Sequence, residues 1–525
     1  MRIFYIFFKT PNISRLNKND FRIYTKSLIF VSKKTKITES SRSFNFLSSE
    51  ASIDEIGWNS TRVPKLWLYN LHYLDCLNSI ESPNYKWNVD LLDDWIKMNK
   101  PFNGVGWDPY PTSLRIVNII KWNLNGNPLE DNHKNSLEIQ ARYLFKKIEY
   151  HILGNHIFAN AKALIFASFV FEGNESRRWL KKGLVILNRE IDEQILSDGG
   201  HFERSPMYHS IILEDLLDIL CLAELNQNFF SKNIIDKIKD TSSNMIKFLK
   251  DLTHPNGEIS HFNDSAQNIS SSLAEIIDYA RSLDVTIENI NASCNLYFNH
   301  YKNSGYVNIR SVDMNLILDC AKVGPDYLPG HAHADTLSFE LSVFSERFIV
   351  NSGTSTYEEN SRRHIERSTS SHSTVVINEE NSSEVWKSFR VARRAYPYNF
   401  SYEHSSEYTE ISCSHNGYKR LSGSPVHERN WKVKNNSIIV SDNVHGNFNK
   451  AVSRYILHPN VSIVTAAFDK IHLRSSNNNE VLFEVLNGEC TIASVDYAEE
   501  FGNIINTKCI CILLEDSSSK VRLSW

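Results

Sequence analysis

Three ionisable side chains occupy alternate positions in the segment Gly330–Phe339, GHAHADTLSF: His331, His333 and Asp335. In an extended chain that spacing puts both imidazoles on one side. There they could ligate a metal ion or act as acid and base beside a ligand. The apolar alternation starts only at Leu337, so the two histidines fall at the mouth of a strand and not on its apolar face. Two earlier segments also carry chemistry. Asn155 and His156 open one apolar run, and DGGHFERSPMYH (198–209) leads into another. Ser205 followed by Pro206 reads as a helix cap and first residue, which puts Tyr208 in the first turn, where the macrodipole favours a phenolate. Plainer readings stand beside these. Asn155 serves equally as a cap after Gly154, Tyr208 as a half-buried aromatic, and Asp198 with Glu203 as a solvated acidic pair at a turn.

Positive charge is concentrated later in the chain. Arg362, Arg363, His364, Arg367 and His372 follow Asn351, and Arg390, Arg393, Arg394, Arg420, His427 and Arg429 come after them. Arginine suits two-pronged binding of carboxylates and sulfates; a solvated charged face is the alternative. Substrate contact is expected from Glu203, Arg204, Arg363, Arg367 and Arg420.

The elements that must position these residues change character once along the chain. Residues 1–50 are polar and rich in Ser, Lys and Asn, and are expected to be peripheral. From 51 to 295 apolar residues recur at three- and four-residue spacing, as in 113–122, 155–173, 205–225 and 234–252, which predicts successive amphipathic helices. From 300 to 525 the period becomes two. Segments such as MNLILDCAKV, SIIVSDNV and EVLFEVLNG alternate between Gly, Asn and Ser turns, the pattern of an antiparallel β-sandwich. The fold class expected is α+β multidomain, a helical array followed by a sandwich.

Composition narrows the function classes. A chain of 525 residues exceeds one ordinary domain. It is 41% hydrophobic and 22% charged, with a formal charge of −4, so no global basic field points to nucleic acid. No stretch approaches the ~20 apolar residues of a membrane-spanning helix, and the opening MRIFYIFFKTPN lacks the apolar core and cleavage site of a signal peptide. The eight cysteines are scattered, with no CxxC; Cys509 and Cys511 read as core strand residues. No Gly-rich phosphate loop is present, and the sequence sets no oligomeric state.

Taken together, GWDPYPTSLRIVNIIKW (106–122), GNHIFANAKAL (154–164), DGGHFERSPMYH, GHAHADTLSFELS, RFIVNSGTSTYE, RSTSSHSTVVIN (367–378) and SEVWKSFRVARRA (383–395) resemble the heparinase II/III family of polysaccharide lyases, in order across residues 60–430. The resemblance implies an incomplete (α/α) toroid followed by an antiparallel β-sandwich. It implies β-elimination on an acidic, uronate-containing polysaccharide, in the periplasm or cell envelope, with glycosaminoglycan, alginate and capsular uronates all admissible. By motif, Asn155 would neutralise the uronate carboxylate with His156 beside it. Tyr208 would be the general acid, and also the base for one sugar epimer; His331 would be the base for the other. No cofactor is required, although family members can hold a structural zinc, here at His333, Asn351 and His372. Asparagine at 351 departs from the carboxylate expected there and is a weak zinc ligand. Two other readings are a glycoside hydrolase using Glu203 and a second carboxylate, and a non-catalytic glycan-binding or assembly protein.

Overall fold

The computed structural model describes residues 20–24, 26–28, 30–31, 36–38, 42–226, 229–288, 296–467 and 469–525. The opening MRIFYIFFKTPN and Cys294 lie outside these. The chain divides into two compact units.

The first unit is helical and comprises residues 1–195, 211–243 and 275–286. Its helices include Lys65–Tyr73, Tyr85–Met98, Pro109–Leu124, Asp131–Lys146, Gly154–Val170 and Asn174–Gln194. Their starts are written locally. The Asn84 side chain accepts from Trp87 N, Pro109 occupies the first position of its helix, and Glu130 with His133 forms a capping box. Gly154–Val170 has apolar residues all round, and 16 of its 17 residues are buried, so it is the core helix of this unit. Its one lysine, Lys162, is buried because Asp215 meets it at 2.6 Å and Asp218 also pairs with it. The expected peripheral segment is partly packed: Ser43–Phe46 and Ser49–Ser52 join Lys36–Thr38 in a three-stranded sheet, and Phe44 is buried. No helix among the described residues is long and apolar enough to cross a membrane.

The second unit comprises 196–210, 244–274 and 287–525. It therefore includes two stretches, 196–210 and 244–274, that the helical texture assigned to the first half. They carry Tyr208 and a buried, mostly polar run, Ser260–Ser265, in which His261, Asn263 and Asp264 have partners in the β half. The rest is two antiparallel sheets. One runs in the order Glu489–Glu500, Asn503–Leu513, Ala451–Leu457, Glu346–Val350, Phe339–Val343, Met314–Asp319, Tyr306–Arg310, Tyr297–Tyr301, with Val375–Ile377 also pairing Ala451–Leu457. The other runs Pro397–His404, Thr409–His415, Val426–Lys434, Ser437–His445, Ser518–Ser524, Glu480–Asn487, Lys470–Ser475, Val461–Ala466. Leu316, Phe339 and Phe348 from the first pack with Trp431, Val440, Phe483 and Leu523 from the second in one core. The sandwich read from the period of two is present.

Val426–Lys434 alternates strictly, and its inward positions include His427 and Arg429 as well as Trp431 and Val433. Arg429 is fully buried and pairs with Asp442 at 2.6 Å. Its remaining amino group donates to Leu337 O (2.9 Å) and Ser373 O (2.7 Å). One core arginine thus holds the loop after His331 and the loop after His372 together. The strand expected from Leu337 begins at Phe339; Leu337 itself is buried with φ +64, so the segment turns before the sheet starts.

Candidate active site

Tyr208 is the third residue of the helix Pro206–Ala223. Ser205 caps that helix: its hydroxyl accepts from Tyr208 N (3.2 Å) and donates to Asp264 O (2.6 Å). The cap therefore fixes Tyr208 and Asp264 relative to one another. The Tyr208 ring lies against the His331 imidazole, 4.1 Å between centroids, and its hydroxyl is 3.0 Å from the Tyr357 hydroxyl. Phe389 and Tyr357 complete an aromatic wall around His331, at 5.7 and 5.8 Å. Burial, with the nearby Tyr357 and Asp264, raises the Tyr208 phenol well above its ordinary value, so it is protonated at neutral pH.

Asp264 is the hub of this arrangement. Its carboxylate accepts from His331 Nδ1 (2.9 Å), from His333 Nε2 (2.8 Å) and from both amino groups of Arg363, one at 2.7 Å. Burial pushes its pKa up, but Arg363 and the two histidines outweigh that and hold it well below the usual carboxylate range. An ionised carboxylate only accepts, so the His331 proton sits on Nδ1 and the lone pair on Nε2. That is the tautomer a base needs.

The expected substrate-binding residues are placed differently from the sequence reading. Arg363 and Arg367 are fully buried. Arg363 joins Asp264 to Ser388 O (2.9 Å), and Arg367 donates to Ala332 O (2.9 Å), Lys387 O (2.8 Å) and Arg390 O (3.3 Å). Together they clamp the hairpin Val385–Val391, which carries Phe389, onto the His331 loop. Arg420 donates to Ser382 O, Gly417 O and Asn381 O, and Arg204 to Ser304 O and Phe202 O. These four guanidiniums brace backbone carbonyls, most of them in irregular segments that have no sheet partner to satisfy them. Glu203 is buried, close enough for its charge to raise the Tyr208 and Tyr357 phenols. Asp198 accepts from Asn303 N, Ser304 N and Ser304 Oγ, so it anchors that loop.

In the helical unit, Asn155 is the second residue of Gly154–Val170 and not its cap. Its amide donates to Tyr110 Oη at 3.3 Å. His156 is the one partly exposed residue of that helix. Glu149 accepts from its Nδ1 at 3.1 Å and from Asn160 Nδ2 at 3.1 Å, which leaves Nε2 as the outward atom. Tyr110 stacks on the His156 ring at 4.3 Å.

His333 and His372 meet at 3.1 Å, Nδ1 to Nε2. The outer nitrogens face acceptors, Asp264 Oδ1 and Ser368 O (2.7 Å), so each carries its proton outward. Two lone pairs are then left facing each other. Burial lowers His333 to about 3, against a third proton, and two facing lone pairs are a donor set that a metal ion would take. Asn351 does not complete the set: its Oδ1 accepts from Ser373 N (3.0 Å) and its Nδ2 points to Ser338 Oγ (3.4 Å). A second three-residue cluster, Asp93, Glu130 and His133, is spent on hydrogen bonds. His133 Nδ1 accepts from Glu130 N, and its Nε2 donates to Asp93.

Sequence reasoning missed Asp264, Tyr357 and Phe389 as parts of the site. The signal for Asp264 was the polar run ISHFNDSAQN (259–268), too polar for a helix core and too rich in hydrogen-bonding groups for a plain loop.

With this geometry in view, the comparisons are specific. Residues 92–286 match the heparinase II/III N-terminus model, and residues 295–525 the heparinase II/III-like C-terminal model. A heparin-sulfate lyase of Pedobacter heparinus is 28% identical over 264 residues, 47% of this chain and 39% of the relative. A heparin-sulfate lyase of Bacteroides stercoris is 27% identical over 247 residues, 44% of this chain and 37% of the relative. The match thus spans well under half the length of these curated relatives. The crystal structure of heparinase III shares the fold, with a TM-score of 0.69 at 20% identity, over 86% of this chain and 76% of that one. On these matches, the chain belongs to the heparinase II/III-like family.

Proposed function

We propose that this protein is a polysaccharide lyase that cleaves a uronate-containing acidic glycan by β-elimination. The observation that carries the reading is the Tyr208–His331 pair, with Asp264 fixing the imidazole tautomer. Elimination removes the C5 proton, which is α to the uronate carboxylate. The C4–O4 bond then breaks, and a C4–C5 double bond remains. In this reading His331 Nε2 takes the C5 proton, and the Tyr208 hydroxyl gives its proton to the departing O4. The raised Tyr208 pKa suits the acid role, since the group enters the reaction protonated. The carboxylate must be neutralised or hydrogen-bonded before C5 becomes acidic enough. Asn155 and His156 are assigned that task for their chemistry: an amide donor, and an imidazole whose Nδ1 is held by Glu149.

A panel of uronate polymers, followed by ultraviolet absorbance of the unsaturated product, tests the reaction and the substrate together. The heparin-sulfate lyase relatives make a glycosaminoglycan the first polymer to try. Saturated sugars alone, from a polymer the protein demonstrably cuts, would exclude elimination.

We also propose that His333 and His372 hold a structural metal ion, zinc by ligand type. When bound it would tie the His331 loop to the Ser368–His372 loop and take no part in the chemistry. Asn351→Asp supplies an anionic ligand within the same loop system, and Ser338 and Ser373 can both donate to it. Zinc affinity, read by competition with a chromogenic chelator, is expected to rise at least ~10-fold, consistent with the weight of one added charged ligand. An unchanged affinity would remove position 351 from the site.

A further inference from the structure

The sandwich carries a cavity of about 230 Å³ beside the helix Ser361–Glu366, lined among others by Arg362, Glu366, Ser370, Arg454, Ser494 and Asp496. Two arginines and two carboxylates line it, and their pairing leaves one arginine over. Arg362 pairs with Asp496 at 2.5 Å. Glu366 is buried and turned toward Ser355, accepting from its N at 3.0 Å and from its hydroxyl. Arg454 has no ion pair with any described residue. Its side chain donates instead to a thiol, Nη1 to Cys511 Sγ at 3.6 Å, a weak acceptor. Its Nε is buried with no hydrogen-bond partner. A buried donor left without an acceptor is a net cost of folding, and one lies here beside a cavity. Guanidinium geometry is matched by a planar or tetrahedral oxyanion, which offers two oxygens to the Nε–Nη edge.

We propose that this cavity is a secondary oxyanion site in which Arg454 receives a sulfate or carboxylate group, with Arg362 as second cation. Its volume lies below the ~300–1,000 Å³ of pockets for drug-sized ligands, so it takes a free ion or one acidic sugar residue and not a run of them. The inference does not depend on lyase chemistry. A binding measurement tests it whether or not the protein turns over. Arg362 and Glu366, which line the cavity, sit on the same short helix as Arg363, the residue that grips Asp264.

The test is isothermal calorimetry on the full chain with four titrants: sodium sulfate, inorganic phosphate, a sulfated uronate disaccharide and its desulfated counterpart. Sulfate is expected to bind the wild-type protein, and Arg454→Met to weaken it at least ~10-fold through loss of a charge-assisted pair. Asp496→Asn lies at the surface, removes the competing acid and frees Arg362, so it should tighten sulfate binding. This second variant keeps the test decisive if Arg454→Met folds poorly. A sulfated disaccharide binding more tightly than free sulfate assigns the site to the glycan; equal or weaker binding assigns it to the free ion. Affinities that neither substitution moves, or no anion binding at all, overturn the proposal.

Discussion

Tyr208→Phe is expected to slow release of unsaturated product by ~10²–10⁴-fold, the usual weight of a well-placed acid or base, with the fold retained. The substitution removes one hydroxyl and nothing else. The ring keeps its contact with His331 at 4.1 Å, and Ser205 still caps the helix through the backbone N of residue 208. The lost hydroxyl leaves the Tyr357 hydroxyl without its partner at 3.0 Å, which costs about 1 kcal/mol. Thermal unfolding should therefore shift by only a few degrees. Initial rates on the best polymer of the panel, together with a melting curve, separate the two effects. Near-wild-type turnover in a folded Tyr208→Phe protein would take the acid role away from this residue. Because the phenol titrates well above 10, the wild-type rate should also show no alkaline fall from Tyr208 across the neutral range.

Much of this was legible in the sequence, and the limits are informative. The change of period near residue 300 reports which faces are buried, and a period survives folding because it is set by geometry common to all helices and strands. Ser205–Pro206 places Tyr208 for the same reason: a cap is a local device, with its donor and acceptor three residues apart. Asn155 escaped that logic. Helix Gly154–Val170 starts two residues earlier than the capping reading required, after Leu153 at φ +66, and the asparagine side chain is released to Tyr110.

The arginines were the larger misreading. A cluster of Arg, Ser and His between turns looks like a solvated or ligand-facing surface in any sequence. Whether Arg363 and Arg367 face a ligand or their own backbone depends on where Asp264, Ser388 and Lys387 end up, 20 to 100 residues away. Such long-range pairing leaves no periodic trace. The same reason hid Asp264, whose partners at 331, 333 and 363 lie some 70 to 100 residues downstream. It also explains why 196–210 and 244–274, helical or irregular by texture, belong with the β half: several of their buried polar groups, among them Arg204, His254 and Asp264, find partners there.

Asp264→Asn is the substitution expected to damage the protein most, in stability and in rate. His331 Nδ1, His333 Nε2 and two Arg363 amino groups all donate to this one carboxylate. An amide has one accepting oxygen and turns an N–H₂ toward the remaining donors, so at least one contact becomes repulsive. Arg363, fully buried, also loses its counter-charge. Breaking a buried pair from one side typically costs ~3–5 kcal/mol, which urea unfolding would read directly. Adding Arg363→Met should restore part of that loss, giving a coupling energy well away from additivity. The pH dependence has a definite sign. The Asp264 pKa is depressed in the folded protein, so its contribution is fully present above the unfolded-state value of ~3.9 and fades as pH falls below it. The gap in unfolding free energy between wild type and Asp264→Asn should accordingly be widest above about pH 5 and narrow toward pH 3. In the reaction, loss of the carboxylate frees His331 to carry its proton on Nε2, the atom that must accept from C5, so the rate should fall even where the variant is fully folded. A variant as stable as wild type with undiminished turnover would show that neither the tautomer of His331 nor the charge of Arg363 depends on Asp264.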